Sequence, residues 1–195
     1  TYGAPIDQLI DVVHWFALLL FVGWGIFLVY CLIRFRARPG RKGSYESTKN
    51  PFPKFVEIGV VIFEAFLLIG LSYPVWSRYK TDFPDRNEAL RIRVVAQQFQ
   101  WNIHYPGRDG IFGKTSPQYL SDSDAIGLDP NDPAGKDDIV TANQLHFPVE
   151  RPVIAHLSSK DVIHSFAVPV LRVKQDVIPG MEIPIWWQAT QTGNF

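Results

Sequence analysis

The sequence predicts an α+β membrane protein: a two-helix transmembrane hairpin, residues 1–80, followed by an external β-sandwich or barrel, residues 81–195. Three observations predict this. Two stretches of 22 residues, Val12–Ile33 and Phe55–Trp76, are apolar enough to cross a bilayer. A dense basic run separates them. From Leu90 onward, short β-branched and aromatic runs alternate with Pro- and Gly-containing turns.

The first span reads VVHWFALLLFVGWGIFLVYCLI, with His14 its only ionisable side chain apart from Tyr30 and Cys31. At 1.5 Å per residue it covers about 33 Å. Gly23 and Gly25 are tolerated in a membrane helix and suit close helix packing. Arg34, Arg36, Arg38, Arg41 and Lys42 follow directly, and Arg38-Pro39-Gly40 stops the helix. Basic residues beside an apolar span mark its cytoplasmic end, so the loop to Pro53 is expected on that side. Its place at a helix end favours orientation over a merely solvated charge run. The second span, FVEIGVVIFEAFLLIGLSYPVW, carries Tyr73 and Trp76 near its far end, and Pro74 is expected to end or kink it. Two spans return the chain to the side where it began. The N-terminus and everything beyond about residue 80 are therefore expected outside, in a periplasm or its equivalent. Thr1 is not Met and no basic n-region precedes an apolar core, so either a targeting segment has been removed or the start lies outside these residues.

In the external part, RIRVVAQQFQWNIHY reads as strand and Pro106-Gly107 as turn. Residues 107–138, rich in Gly, Pro, Ser and Asp, read as a long excursion. Further strands are expected at Gln144–Val149, Pro152–Ser158, Val162–Val168 and Glu182–Ala189. Short strands with such punctuation indicate a sandwich or barrel.

Composition narrows the function classes. Lys plus Arg equals Asp plus Glu at 19 each, which gives no reason to expect a nucleic-acid partner. Residues 81–195 nevertheless carry ten basic and fourteen acidic side chains. Between Asp122 and Asp138, the acids Asp122, Asp124, Asp129, Asp132, Asp137 and Asp138 face only Lys136, so a basic partner is expected to dock there. Cys31 is the only cysteine, so no intrachain disulfide forms, and within its span it reads as inert packing. Six Trp and 15 Pro suit an interfacial belt and a loop-rich β-domain.

One stretch carries chemistry: Lys160–Gly180, KDVIHSFAVPVLRVKQDVIPG. Imidazole on a strand or tight turn is a natural copper or zinc ligand. Taken alone, His164 reads rather as a core histidine bonded to the backbone than as a ligand, because one His is no metal signature. The surrounding pattern, D-V-I-H-S-F-x-V-P-x-L-x-V-K-x-D-x-x-P-G, closely resembles the copper domain of subunit II of the haem-copper cytochrome c oxidases. The resemblance runs from the first membrane helix to Phe195 and is most specific over Asp138–Phe195.

That resemblance implies a membrane hairpin with an external cupredoxin-like domain, as hydropathy predicts independently. It makes His164 a ligand of the dinuclear copper centre CuA. It makes the block Gln98-Phe99-Gln100-Trp101-Asn102-Ile103-His104-Tyr105 the aromatic region beneath the cytochrome c docking surface. The family's first Trp, where electrons are thought to enter, is Phe99 here; Trp101 matches the second. Aromatic core packing is an equal account of both residues. Glu57, at the start of the second span, matches the glutamate at the mouth of a proton pathway into subunit I. Glu64 has no counterpart; it lies seven residues on, hence on the same helical face, and a helix–helix hydrogen bond and a functional role are equal readings. His14 reads as an interfacial hydrogen bonder, and His104, His146 and His156 as structural.

The family's two bridging cysteines, second histidine and methionine follow the strand after the Pro-Gly turn, and the sequence ends short of them. The expectation is therefore a chain cut short relative to the natural one, or a metal-free relative. The implied function is the electron-transfer subunit of a terminal oxidase in a bacterial inner membrane or its equivalent. It would take electrons from cytochrome c or a similar haem protein through CuA to the haem of subunit I, with oxygen reduction coupled to proton pumping. The alternatives are a copper-free structural subunit of a quinol oxidase, against which His164 argues, and a tethered carrier working alone, against which the two intramembrane acids argue.

Overall fold

The computed structural model describes residues 3–40, 42–43, 49–121 and 124–194. Arg41 of the basic run and Asp122 of the acidic excursion lie outside the described residues. The chain forms two compact units: a helical unit, Ala4–Ser77, and a β-unit that begins at Arg78.

In the helical unit, α1 (Gly3–Arg34) begins nine residues before the apolar span, with Pro5 in its first turn, where a missing N–H costs nothing. The ring of His14 donates from Nδ1 to the Ile10 carbonyl at 2.8 Å, one turn back on the same helix. The second helix, α2 (Phe52–Thr81), also passes beyond its apolar span. Both are long and apolar enough to cross a membrane. Pro74 does not end α2. The seven residues before Tyr73, Phe66–Ser72, are wound as a π-helix, and α-helix resumes at Tyr73. The wider turn removes the need for the i→i−4 bond that proline cannot make. Ser72 Oγ also donates to the Leu67 carbonyl at 3.1 Å. Phe16 and Phe63 pack with ring centroids 4.5 Å apart, joining α1 to α2.

In the β-unit, strands β1 (Leu90–Gln97), β2 (Gln100–Tyr105), β3 (Ile139–Ala142), β4 (Pro152–Ser159) and β7 (Ile183–Gln188) form one sheet in the order β3-β2-β1-β4-β7. Only β1 and β4 run parallel. Strands β5 (His164–Val168) and β6 (Val173–Val177) form a separate antiparallel ribbon. Period-two alternation sends Ile92, Val94 and Ala96 of β1 inward, with Val153, Ala155 and Leu157 of β4 and Ile185 and Trp187 of β7. Phe166, Val173 and Val177 of the ribbon close the same core, so the two sheets make a sandwich.

Two strand expectations need correction. Gln144–Val149 is no strand: Asn143 turns the chain at φ 56°, Thr141 Oγ1 donates to the Gln144 carbonyl, and His146 N–H donates to Tyr105 Oη. Side chains satisfy this backbone, and only Val149 bridges, to Ala189. Strand β6 was not expected; it is five residues long, and only its two valines are buried.

The excursion between β2 and β3 is ordered by its own acids. Asp124 accepts from the amides of Ile126, Gly127 and Leu128, Asp132 from Lys114 and Ala134, and Asp137 from Arg108. The Lys114 and Ala134 amides hold the Asp132 carboxyl below the usual carboxylate range. Carboxylates read as a free docking surface are thus occupied in shaping the loop. Gly107 has φ +64°, and a Cβ there would stand 2.4 Å from Asp137 Cγ, so this turn requires glycine.

At the base of the excursion, His104 Nε2 lies 2.6 Å from Asp138 Oδ2, with side chains 1% and 0% exposed. The same oxygen accepts from Gly113 N–H at 2.8 Å. Burial lowers the His104 pKa; the hydrogen bond and charge of Asp138 oppose that shift, Arg93 reinforces it and Asp124 opposes it. The sign follows. An unfolded histidine takes its proton near 6.5, while the folded one resists it. Stability contributed by neutral His104 is therefore present above about pH 6.5 and is lost as pH falls through its depressed folded value. The melting temperature of the β-unit should fall between pH 7.5 and 5.5, and the slope should flatten in His104→Gln. An unchanged slope in that variant would assign the acid sensitivity elsewhere.

Candidate functional site

The site lies where β5 begins. His164 opens that strand after the short turn that follows β4. The turn is self-bonded: Ser159 Oγ donates to the Val162 carbonyl at 2.6 Å, and Val162 N–H donates to Asp161 Oδ1 at 2.7 Å. The same oxygen lies 2.7 Å from His164 Nε2. In the neutral ring a carboxylate acceptor makes Nε2 the protonated nitrogen, and Nδ1 is then the one with a lone pair for a metal. The hydrogen bond from His164 first, then the Gln98 and Val162 amides, hold the Asp161 carboxyl far below the usual carboxylate range. Beside it, desolvation lowers the Lys160 ammonium, opposed by Asp124 and Asp161.

Trp101 of β2 stands edge-on to His164, ring centroids 5.9 Å apart, and edge-on to Phe166 at 5.5 Å. Phe166 stacks on Trp187 at 6.1 Å, and Trp187 meets Phe147 at 5.6 Å. A continuous aromatic row thus leads from the imidazole into the core. Trp101 is held at its backbone, where its N–H donates to Asn143 Oδ1 and Asn143 N–H donates to the Trp101 carbonyl, both at 2.8 Å. Phe99 sits on the β1–β2 turn and is 94% exposed, so core packing does not account for it. Gln98–Phe99 is a cis peptide bond.

The structure brings His164 and Trp101 together, with Phe99 two residues from Trp101. Glu57 belongs to the helical unit, on an exposed face of α2, as does Glu64. Of the other histidines, His156 Nδ1 pairs with Glu182 Oε1 at 2.7 Å, and His104 with Asp138. Sequence reasoning did not foresee that Trp101 touches His164, because β2 and β5 belong to different sheets.

Residues 90–195 match the family described as cytochrome c oxidase subunit II, periplasmic domain. The chain belongs to the cytochrome c oxidase subunit II family. It is 34% identical over 197 residues to the alternative cytochrome c oxidase subunit 2 of Bradyrhizobium diazoefficiens, covering all of this chain and 69% of that one. It is 25% identical over 206 residues to cytochrome c oxidase subunit 2 of Cereibacter sphaeroides, covering 94% and 64%. The chain thus spans about two thirds of the length of these relatives. The periplasmic domain of subunit II (CoxB) of Bradyrhizobium japonicum aligns with a TM-score of 0.37 and 27% identity over 56% of this chain and 69% of that one. Members of the subunit II family are subunits of an oxidoreductase complex. Two apolar helices ahead of a cupredoxin-like periplasmic domain are this chain's version of the family plan.

The family implies copper, and the residues here fit it in part. His164, its Nε2 engaged by a carboxylate, suits one imidazole position of a copper centre. Among the described residues no group of three or more His, Cys, Asp or Glu is placed to hold a metal ion, and Cys31 lies within α1. A soft thiolate-bridged pair needs donors that these residues do not supply.

Proposed function

We propose that this chain is the electron-accepting subunit of a terminal oxidase in a bacterial inner membrane or its equivalent, with its β-unit on the periplasmic side. The observation that carries the reading is the imidazole of His164, held by Asp161 and faced by Trp101, within a domain of the subunit II family. Copper bound there would take up and hand on single electrons. His164 offers one ligand to it. Trp101 fills the space beside that ligand, and Phe99 presents an aromatic surface to a docking haem protein such as cytochrome c. The electrons are destined for the haem of subunit I, where oxygen is reduced and protons are pumped.

Glu57 is proposed to serve proton uptake. It lies on the second turn of α2, beside the basic loop taken as cytoplasmic, where water and subunit I both have access. The experiment is purification of the oxidase containing this chain from its native membrane. It should carry haem and oxidise reduced cytochrome c. Glu57→Gln keeps size and hydrogen bonding, so turnover should drop about tenfold or more with haem and copper content unchanged. A chain recovered free of any haem protein would refute the assignment, and full turnover in the variant would make Glu57 a packing residue.

A further inference from the structure

Of the two acids within the apolar spans, Glu57 and Glu64, the proposed function uses only the first. Glu64 follows Phe55 by nine residues, about 14 Å into the span and hence near mid-membrane. Its side chain lies on an exposed face of α2, and among the described residues no hydrogen bond or ion pair reaches it. The neighbouring Phe63 takes up the contact with Phe16 of α1 and leaves Glu64 exposed beside it. A carboxyl group at that depth is costly against lipid unless it finds a partner. One turn on, Leu68 opens an apolar groove completed by Ile69, Ser72, Tyr73 and Trp76. The Ser72 hydroxyl donates back to the Leu67 carbonyl at 3.1 Å, so it is turned into its own helix. Glu64, Leu68, Ser72 and Trp76 follow one another at intervals of four, the spacing of a helical ridge.

We infer that the Glu64 ridge of α2 is a docking surface for a transmembrane helix of a partner subunit, one that lays apolar side chains in the groove and sets a hydrogen-bond donor against the Glu64 carboxyl. This rests on the membrane placement of α2 and not on the copper assignment of His164; in the oxidase proposed above, the partner is subunit I. Lipid is the wrong occupant. Acyl chains would fill the groove but carry no donor, and the carboxyl would stay unsatisfied. A second copy of α2 would bring a like carboxyl, and residues 58–69 hold no other polar side chain. Glu57 precedes Glu64 by seven residues and shares its helical face, so the helix that meets Glu64 also borders the proposed proton entry.

The test is photocrosslinking in the native membrane, on the full-length natural subunit carrying Leu68→p-benzoylphenylalanine. Glu64 is left intact in one sample and changed to Glu64→Gln or Glu64→Leu in two others. With Glu64 intact, irradiation should join position 68 to a membrane-spanning segment of another subunit. Peptide mapping should find a donor side chain within about one turn of the adduct. Glu64→Gln keeps a hydrogen-bonding group of the same size, so the adduct yield should stay within about twofold. Glu64→Leu should lower the yield about five- to tenfold, the scale of one interhelical hydrogen bond. Leucine makes α2 more apolar, so this variant should enter the membrane at least as well, and a lost adduct is not lost insertion. Adducts to lipid alone, adducts to a second copy of the chain, or a yield indifferent to Glu64→Leu would overturn the inference. A Glu64-dependent adduct to a subunit of no haem protein would leave the docking surface standing and remove the oxidase reading. A haem-bearing oxidase whose adduct ignores Glu64→Leu would do the reverse.

Discussion

Replacing His164 with alanine should reduce electron delivery to the oxidase haem by about 100-fold or more. Altering a group that merely orients a metal ligand costs 10–100-fold in affinity or activity, and removing the ligand itself costs at least as much. Among the described residues, no group of three or more His, Cys, Asp or Glu is placed to substitute as a metal site. The carboxylate of Asp161 would lose its imidazole partner but keep the Gln98 and Val162 amides, so the loop should stay folded. Trp101 would lose an edge contact and keep its backbone bonds to Asn143. The expected pattern is therefore a functional loss without unfolding. It is checked by rapid-mixing haem reduction alongside thermal melting. Delivery within a few-fold of wild type would remove His164 from the path.

Replacing Trp187 with alanine should destabilise the β-unit by about 3–5 kcal/mol. The side chain is 1% exposed and lies between Phe166 and Phe147, where the β5–β6 ribbon closes on the larger sheet. A cavity there opens the core on both sides. The indole Nε1 is buried and finds no hydrogen-bond partner among the described residues. Trp187→Phe removes that unsatisfied donor and retains a ring, so its cost should be smaller, about 1–2 kcal/mol. Urea unfolding followed by near-ultraviolet circular dichroism measures both. Equal losses in the two variants would contradict the packing described.

How much of this was legible depended on the range of each interaction. The spans were plain from hydropathy, but α1 starts at Gly3 and α2 ends at Thr81, because helix continues through polar flanks that carry no apolar signal. The π-turn that admits Pro74 has no sequence mark beyond the proline itself. β1 was readable from its alternation. β6 was not, because Lys174, Gln175 and Asp176 separate its two buried valines. Gln144–Val149 looked like a strand because it is apolar, yet its bonds go to Thr141 and Tyr105 side chains. The acids of residues 107–138 looked like a charged surface. Their Asx spacing, with Asp124 two residues before Ile126 and Asp132 two before Ala134, was the available signal for loop caps. At the site, His164 was found through its flanking pattern. Its neighbour was not, since Trp101 reaches it from a different sheet, where Gln98 N–H also bonds the adjoining Asp161.

The most direct test of the central claim, that His164 is a ligand in an electron-accepting copper centre, is electron paramagnetic resonance of the intact oxidase purified with its full-length natural subunit. The account predicts the signal of a mixed-valence, thiolate-bridged copper pair in the wild type, lost or converted to a different copper spectrum in His164→Ala. The same pair signal, undisturbed in His164→Ala, would contradict it, and so would a wild-type oxidase with no such signal.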